Sequence, residues 1–243
     1  MAKLEAYDKA LDYSYAPGIF PATECLKNAK KRCMRLLVSS NGLQSEGVQA
    51  LEKAAQEADI RVEVADRALE RISKKENCFA AMVYKKAEGR FDEDSPHIVL
   101  HHPSDSGNLG TILRTADAAG YKLAILMKGT ADVYAPKVVR AATGSLFRMP
   151  VVSMASAKEL AEFTGAAGKK LTATCLDARR WYYDEDLTHD IALIIGNEGN
   201  GISRDLIESS DIQIKIPMQG NIESLNAAVA AGVLMYEAMR GKR

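Results

Sequence analysis

Net charge is what the sequence most plainly lacks. Its 32 Lys and Arg are balanced by 32 Asp and Glu, so composition alone does not point to nucleic acid, and any electrostatic footprint must be a local patch. Long apolar runs are also missing; none approaches the roughly 20 residues of a membrane span. Residues 1–15 alternate charged and small side chains with no apolar centre like that of a signal peptide, which leads us to expect a cytoplasmic protein with no membrane attachment. Cysteine is sparse. Cys25, Cys33, Cys78 and Cys175 form no C-x-x-C pair and the four histidines are scattered, so neither structural zinc nor a disulfide framework is expected, and the thiols read as inert in a reducing compartment. Internal repeats and low-complexity segments are absent.

What is present is ordinary globular composition, 47% apolar and 26% charged over 243 residues, enough for one large domain or two small ones. The first half alternates in period: helix at 22–31, strand at 35–39, helix at 46–58, strand at 60–64, a short Asp66-capped helix to 72, strand at 78–84. Residues 85–95 (KKAEGRFDEDS) are polar and precede Pro96, as a linker would. We therefore expect a domain over 1–88, a linker over 89–95 and a second domain over 96–243. The second half offers apolar strands at 97–101, 123–127, 171–175, 191–195 and 212–216, a helix at 109–119 and a last helix from about 223 to 240. Short, mostly apolar runs fit a buried parallel sheet of α/β type, whose ligands sit beyond the carboxyl ends of the strands.

Three segments there have unusual chemistry. In SDSGNLGTILRT (104–115), Asn108 stands where a helix N-cap belongs and Arg114 lies six residues on. In GNEGNGIS (196–203), directly after IALII, three glycines within six residues imply tight turns or main chain close to a ligand, with Glu198 among them. The spacing matches neither a P-loop nor a dinucleotide fingerprint. In IPMQGNIESLN (216–226), Ser224, Leu225 and Asn226 fall in the first turn of the last helix, where free N–H groups point outward, and Asn221 or Ser224 could cap it. Taken singly, each segment reads as well as a capped helix or a solvated turn.

Taken in order, N-x-G-x-x-x-R-T-A, G-N-E-G-x-G-I-S and I-P-M-x-G-x-x-E-S-L-N resemble the three signature motifs of the SpoU/TrmH RNA ribose methyltransferases, within the SPOUT superfamily. Asp132, Lys137, Arg140, Gly144, Phe147 and Pro150 stand at similar places in a fourth stretch. The resemblance covers about residues 96–243. The first half resembles the small α/β RNA-binding domain that precedes the catalytic domain in rRNA-modifying members, although Asn77-Cys78-Phe79 stands where a His-Gln-Gly is frequent. The resemblance implies a parallel-sheet catalytic domain with a C-terminal trefoil knot, a homodimer, and transfer of a methyl group from S-adenosyl-L-methionine to a ribose 2′-hydroxyl. It favours rRNA, with tRNA as the alternative substrate and an RNA-binding pseudoenzyme as a further one. It implies catalytic or positioning roles for Arg114, Asn108, Glu198, Ser224 and Asn226, and cofactor contacts at Gly196, Asn197, Gly201, Ile216, Met218 and Leu225. No metal is required. A guanidinium is effectively always protonated, so Arg114 suits stabilising alkoxide charge or gripping a phosphate better than taking a proton.

Outside the motifs, Lys27, Lys30, Lys31, Arg32 and Arg35 form a local cationic cluster that could be a solvated face or an RNA contact, and Lys137 and Arg140 could also meet RNA. His101 and His102 read as structural, and Trp181, Tyr182 and Tyr183 read as packing rather than base stacking.

Overall fold

A computed structural model of the chain describes residues 6–73, 78–86 and 95–241. The chain forms two compact units, and they are interleaved: residues 1–87 with 132–148, and residues 88–131 with 149–243. The expected linker lies almost entirely outside the described residues, as does Asn77.

The first unit has a four-stranded sheet with β1 (Tyr13–Pro17), β2 (Cys33–Val38), β3 (Arg61–Val64) and β4 (Ala80–Lys85) in the order β1-β4-β2-β3. β4 is antiparallel to β1 and β2, while β2 and β3 run parallel. The connections supply α1 (Ile19–Asn28), α2 (Glu46–Glu57) and α3 (Asp66–Ser73). Val48, Leu51 and Ala55 repeat at helical spacing and are the buried face of α2. One side of the sheet packs Tyr15, Leu37, Ala81 and Val83 with Leu69 and Ile72 of α3. β1 is not apparent in the sequence, because its YSYAP carries no alternation of aliphatic residues. Asp66 differs in its partners from the expected helix cap: it accepts from Ser40 N and Ser39 Oγ, clamping the turn after β2.

The second unit is a wholly parallel seven-stranded sheet. β5 (His97–Leu100), β6 (Leu123–Met127), β7 (Val151–Met154), β8 (Lys170–Thr174), β9 (Arg180–Trp181), β10 (Ile191–Ile195) and β11 (Ile212–Lys215) lie in the order β7-β6-β5-β10-β8-β11-β9. Every residue of β5 and β10 is buried, which is why IALII reads as an unbroken apolar run and HIVL as apolar after His97. Val99, Ile125, Ala173, Ala192 and Ile194 share one core with Leu160 and Leu206; Leu160 is on α6 (Ala157–Ala166) and Leu206 on α7 (Arg204–Glu208). α4 (Ser106–Ala118) packs on α8 (Ala227–Glu237), and α8 also meets β10. β7, α6 and β9 are additions to the elements expected from the sequence.

Residues 132–148 carry α5 (Pro136–Ala141) and belong with the first unit. Asp132 accepts the Tyr7 hydroxyl, the Tyr134 carbonyl accepts Ser14 Oγ, Arg148 pairs with Glu24, and Phe147 meets Tyr84 edge-on at 5.0 Å. Gly144 has φ 92°, and a Cβ there would lie 2.5 Å from that of Glu24, so glycine is required by both conformation and space. A chain starting at residue 96 would leave Val138, Val139 and Phe147, all buried here, without these partners. Trypsin should then cut at Lys137, Arg140 and Arg148 far faster than in the full chain, as read by mass spectrometry of timed digests. Equal rates would show that 132–148 holds its structure without residues 1–95.

Candidate active site

The loops that leave the carboxyl ends of β5, β8, β10 and β11 carry the candidate residues. At the end of β5, Asp105 caps α4 by accepting Asn108 N at 2.8 Å. This corrects the expectation that Asn108 is the cap: Asn108 is the third helical residue, and its side chain is free for other work. Its Nδ2 donates to Glu198 Oε1 at 3.1 Å, and its Oδ1 accepts from Asn226 Nδ2 at 3.0 Å.

Glu198 is the hub. Besides Asn108 it accepts from Ser104 N at 3.1 Å, Ser104 Oγ at 3.0 Å and Asp105 N at 3.3 Å. Partial burial pushes this carboxyl up, but the hydrogen bonds from Asn108 and Ser104 outweigh it and hold the pKa at about 2. The group is therefore an anion throughout the physiological range, with its acceptor sites taken up by donors. Its pKa is lower folded than unfolded, so what it contributes to stability is present above about pH 4.5 and is lost as pH falls toward 2.

Asn197 locks the start of the same loop. Its Nδ2 donates to the His102 carbonyl at 2.8 Å, and its Oδ1 accepts from Gly199 N and Asn200 N. Asn197 and Gly201 exchange two main-chain hydrogen bonds of 3.0 Å each. Gly196 permits this closure: a Cβ there would lie 2.6 Å from Gly201 C and 2.7 Å from Gly201 O. The demand on Gly196 thus comes from the loop's own backbone, before any ligand is considered.

Asn226 caps α8, accepting from Ala228 N at 2.9 Å and Val229 N at 3.3 Å. The cap is neither Asn221 nor Ser224, and the last helix begins at Ala227, so Ser224 and Leu225 lie before its first turn rather than in it. One side chain consequently ties the start of α8 to Asn108 and, through it, to Glu198.

The loops after β8, β10 and β11 border a cavity of about 420 Å³. All of Gly196, Asn197, Gly201, Ile216, Met218 and Leu225 line it, as do Glu198 and Ser224. The residues that the sequence motifs do not reach follow β8: Thr174, Cys175, Leu176 and Asp177 form another wall, and Lys215 joins it with its ammonium 4.6 Å over the Trp181 ring. Their only signal in the sequence is position at the end of a parallel strand. Among the described residues, the main-chain groups of 218–225 make no main-chain hydrogen bond, so they remain open to a ligand. A mostly apolar lining with a few polar groups, at this volume, suits a nucleoside-sized molecule.

Arg114 stands apart from this network. It is exposed on α4 and makes no hydrogen bond or ion pair among the described residues. From Asn108 it is about 240° around the helix and about 9 Å along it. His101 and His102 stack at 4.0 Å, and burial first, then the neighbouring ring, lowers the His101 pKa; both are packing groups. Among the described residues there is no cluster of His, Cys, Asp and Glu able to hold a metal.

Residues 95–236 match the family model described as SpoU rRNA Methylase family. A 23S rRNA (guanosine(2553)-2'-O)-methyltransferase of Bacillus subtilis is 43% identical over 144 residues, which are 59% of this chain and 57% of that protein. The alignment therefore spans less than two thirds of that relative. The SpoU methyltransferase AviRb of Streptomyces viridochromogenes, solved in complex with the cofactor AdoMet, superposes with a TM-score of 0.81 at 29% identity, over 94% of this chain and 90% of that one. The A. aeolicus TrmH/SpoU tRNA modifying enzyme matches at a TM-score of 0.52 and 25% identity, over 60% of this chain and 75% of that one.

Substituting Gly196 by Ala should open the loop. Hydrogen exchange at the Asn197 and Gly201 amides, slow in the parent chain, should accelerate by at least tenfold, while amides of β5 and β10 stay protected. Unchanged protection would mean that the backbone relaxes around the methyl group at little cost.

Proposed function

The chain belongs to the SpoU rRNA methylase family, and from that premise we propose that it transfers a methyl group from S-adenosyl-L-methionine to a ribose 2′-hydroxyl of ribosomal RNA. The observation that carries this reading is the cavity: all six residues expected to touch the cofactor line one space at the carboxyl ends of β8, β10 and β11. Ile195, Ile202, Met218 and Leu225 offer apolar walls to an adenine ring, and the open main chain of 218–225 offers polar contacts to its edge and to the ribose. Glu198 and Asp177 put negative charge on the lining, which complements a cationic ligand. The cofactor supplies a methyl group on a sulfonium centre, already activated by its charge.

The protein's part is to align the hydroxyl and manage its proton. Glu198, anionic and engaged by several donors, holds loops and is a poor proton acceptor. Arg114 has a fork of donors with no partner among the described residues, suited to a phosphate or to a developing alkoxide. Ser224 lines the cavity and is exposed, where it can position the ribose. Recognition of a 2′-hydroxyl is in itself a choice of RNA over DNA.

Two further parts of the reading rest on other observations. The relative named as a 23S rRNA methyltransferase supports rRNA over tRNA, and the match over 94% of the chain to AviRb, against 60% for the tRNA-modifying relative, supports a role in RNA recognition for residues 1–88. Within the cationic cluster, Arg32 donates to the Lys85 carbonyl, Arg35 pairs with Glu63 and Lys27 pairs with Glu24, which leaves Lys30 and Lys31 exposed for phosphate contact. α8 is apolar on all sides, yet Val229 and Tyr236 are 53% and 55% exposed. An apolar helix face of this kind supports a homodimer. The C-terminal trefoil knot and a cytoplasmic location belong to the same reading; among the described residues no helix is long and apolar enough to cross a membrane.

Arg114→Ala tests the assignment. Calorimetry should show S-adenosylmethionine binding with nearly unchanged affinity, and single-turnover methyl transfer should fall by roughly a hundredfold or more, the scale for one well-placed electrostatic group. Arg114→Lys should rescue little, because the fork is lost. Full activity in Arg114→Ala would show that the arginine is misassigned, and absence of cofactor binding to the parent chain would favour an RNA-binding protein without turnover.

A further inference from the structure

Two cysteines that the proposed chemistry leaves unused lie side by side in the first unit. Cys25 is fully buried on α1, and its Sγ is 3.7 Å from the Sγ of Cys33, the partly exposed first residue of β2. Between them run the end of α1 and a single 3-10 turn, Lys30–Arg32. Cys33 Sγ also approaches the Ala29 carbonyl at 3.6 Å. The sulfurs would have to close by about 1.7 Å to reach the bonded distance of about 2.0 Å. The local backbone has room to allow it: the pairing of β2 with β4 slips register between Cys33 and Arg35, and Met34 between them is 40% exposed.

The surroundings also differ for the two thiols. The Arg32 guanidinium, held by its bond to the Lys85 carbonyl and seated 5.4 Å over the Tyr84 ring, is the nearby cation. Cys33 is held below the ordinary thiol value, first by the hydrogen bond with Cys25 and also by Arg32. Cys25 is pushed up by the same bond and by burial. The exposed member is therefore the better thiolate and the buried one the reserve thiol.

We propose that Cys25 and Cys33 form a reversible dithiol–disulfide pair that hydroperoxides oxidise, a modification site that restrains the turn presenting Lys30 and Lys31. The Cys33 thiolate sulfur attacks one oxygen of hydrogen peroxide; the O–O bond breaks, and the departing hydroxide takes a proton to become water. Cys33 is left as the sulfenic acid. The Cys25 sulfur then attacks the Cys33 sulfur, the S–O bond breaks, and the oxygen leaves as a second water carrying the Cys25 proton. Two electrons pass from the sulfur pair to the peroxide. A small dithiol returns both cysteines to thiols by exchange. In a reducing compartment the pair would be reduced at rest and oxidised transiently.

The test uses the full chain. The reduced protein is treated with hydrogen peroxide, unfolded in guanidinium at low pH, blocked with a maleimide in the denatured state and weighed intact. Of the four cysteines, two should resist labelling after oxidation and all four should label again after dithiothreitol. Lys27, Lys30, Lys31 and Arg32 separate the two cysteines, so trypsin releases them on different peptides unless a disulfide joins them; the joined pair should appear only in the oxidised sample. In Cys25→Ala, which cannot close the bond, Cys33 should be trapped as a sulfenic acid by dimedone. Four free thiols after oxidation, Cys33 over-oxidised beside a free Cys25, or a bridge to Cys78 or Cys175 would each overturn the proposal. The intact-mass result on the parent chain decides the matter even if the variant does not fold.

Discussion

The Glu198 carboxylate is shared by segments far apart in the chain. It accepts hydrogen bonds from the loop after β5 through Ser104 and Asp105, and from the first turn of α4 through Asn108. Asn108 in turn accepts from Asn226, the cap of α8. The loop after β10 is thereby fastened to the start of both helices that pack together in this unit. Neutralising the carboxylate would set donors against a weaker acceptor and loosen all of these attachments at once. The loop after β10 and the starts of α4 and α8 are thus joined through this one anion, and the donors that gather round it are why a glutamate exposed to solvent holds its proton so weakly.

Gly196 and Asn197 complete the arrangement from the other end of the same loop. The glycine lets the strand end pass against Gly201, and the asparagine side chain substitutes for missing main-chain partners at 199, 200 and His102. Arg114 is carried on the helix that Glu198 fastens but projects from a different side. The cavity lining and the Arg114 guanidinium are in this way separate groups, carried on elements that the same hydrogen bonds join.

Much of this was legible in the residues. IALII and HIVL are buried on both faces of a parallel sheet, and their apolar character, broken only by His97, shows it. That these positions would gather round one cavity was legible because three motifs recur in order, each at the end of such a strand. The identity of the helix caps was not: SDSGN contains several residues able to cap, and only the fold decides that Asp105 does so while Asn108 turns to Glu198. The wall formed by Thr174 to Asp177 has no composition of its own and reaches the cavity only because β8 lies beside β10. The membership of 132–148 was equally hidden. Its partners Tyr7, Ser14, Glu24 and Tyr84 are more than 60 residues away, a separation over which local periodicity carries no information.

Whether these loops serve methyl transfer to ribose is decided by following the methyl group itself. The purified full chain is supplied with S-adenosylmethionine labelled in its methyl group and with rRNA free of modification, and the RNA is then digested to nucleosides. Label should appear in a single 2′-O-methylated nucleoside, with the neighbouring phosphodiester made resistant to alkali and with no label on equivalent tRNA. Label on a base, or no transfer to any RNA by protein that binds the cofactor, would contradict the assignment.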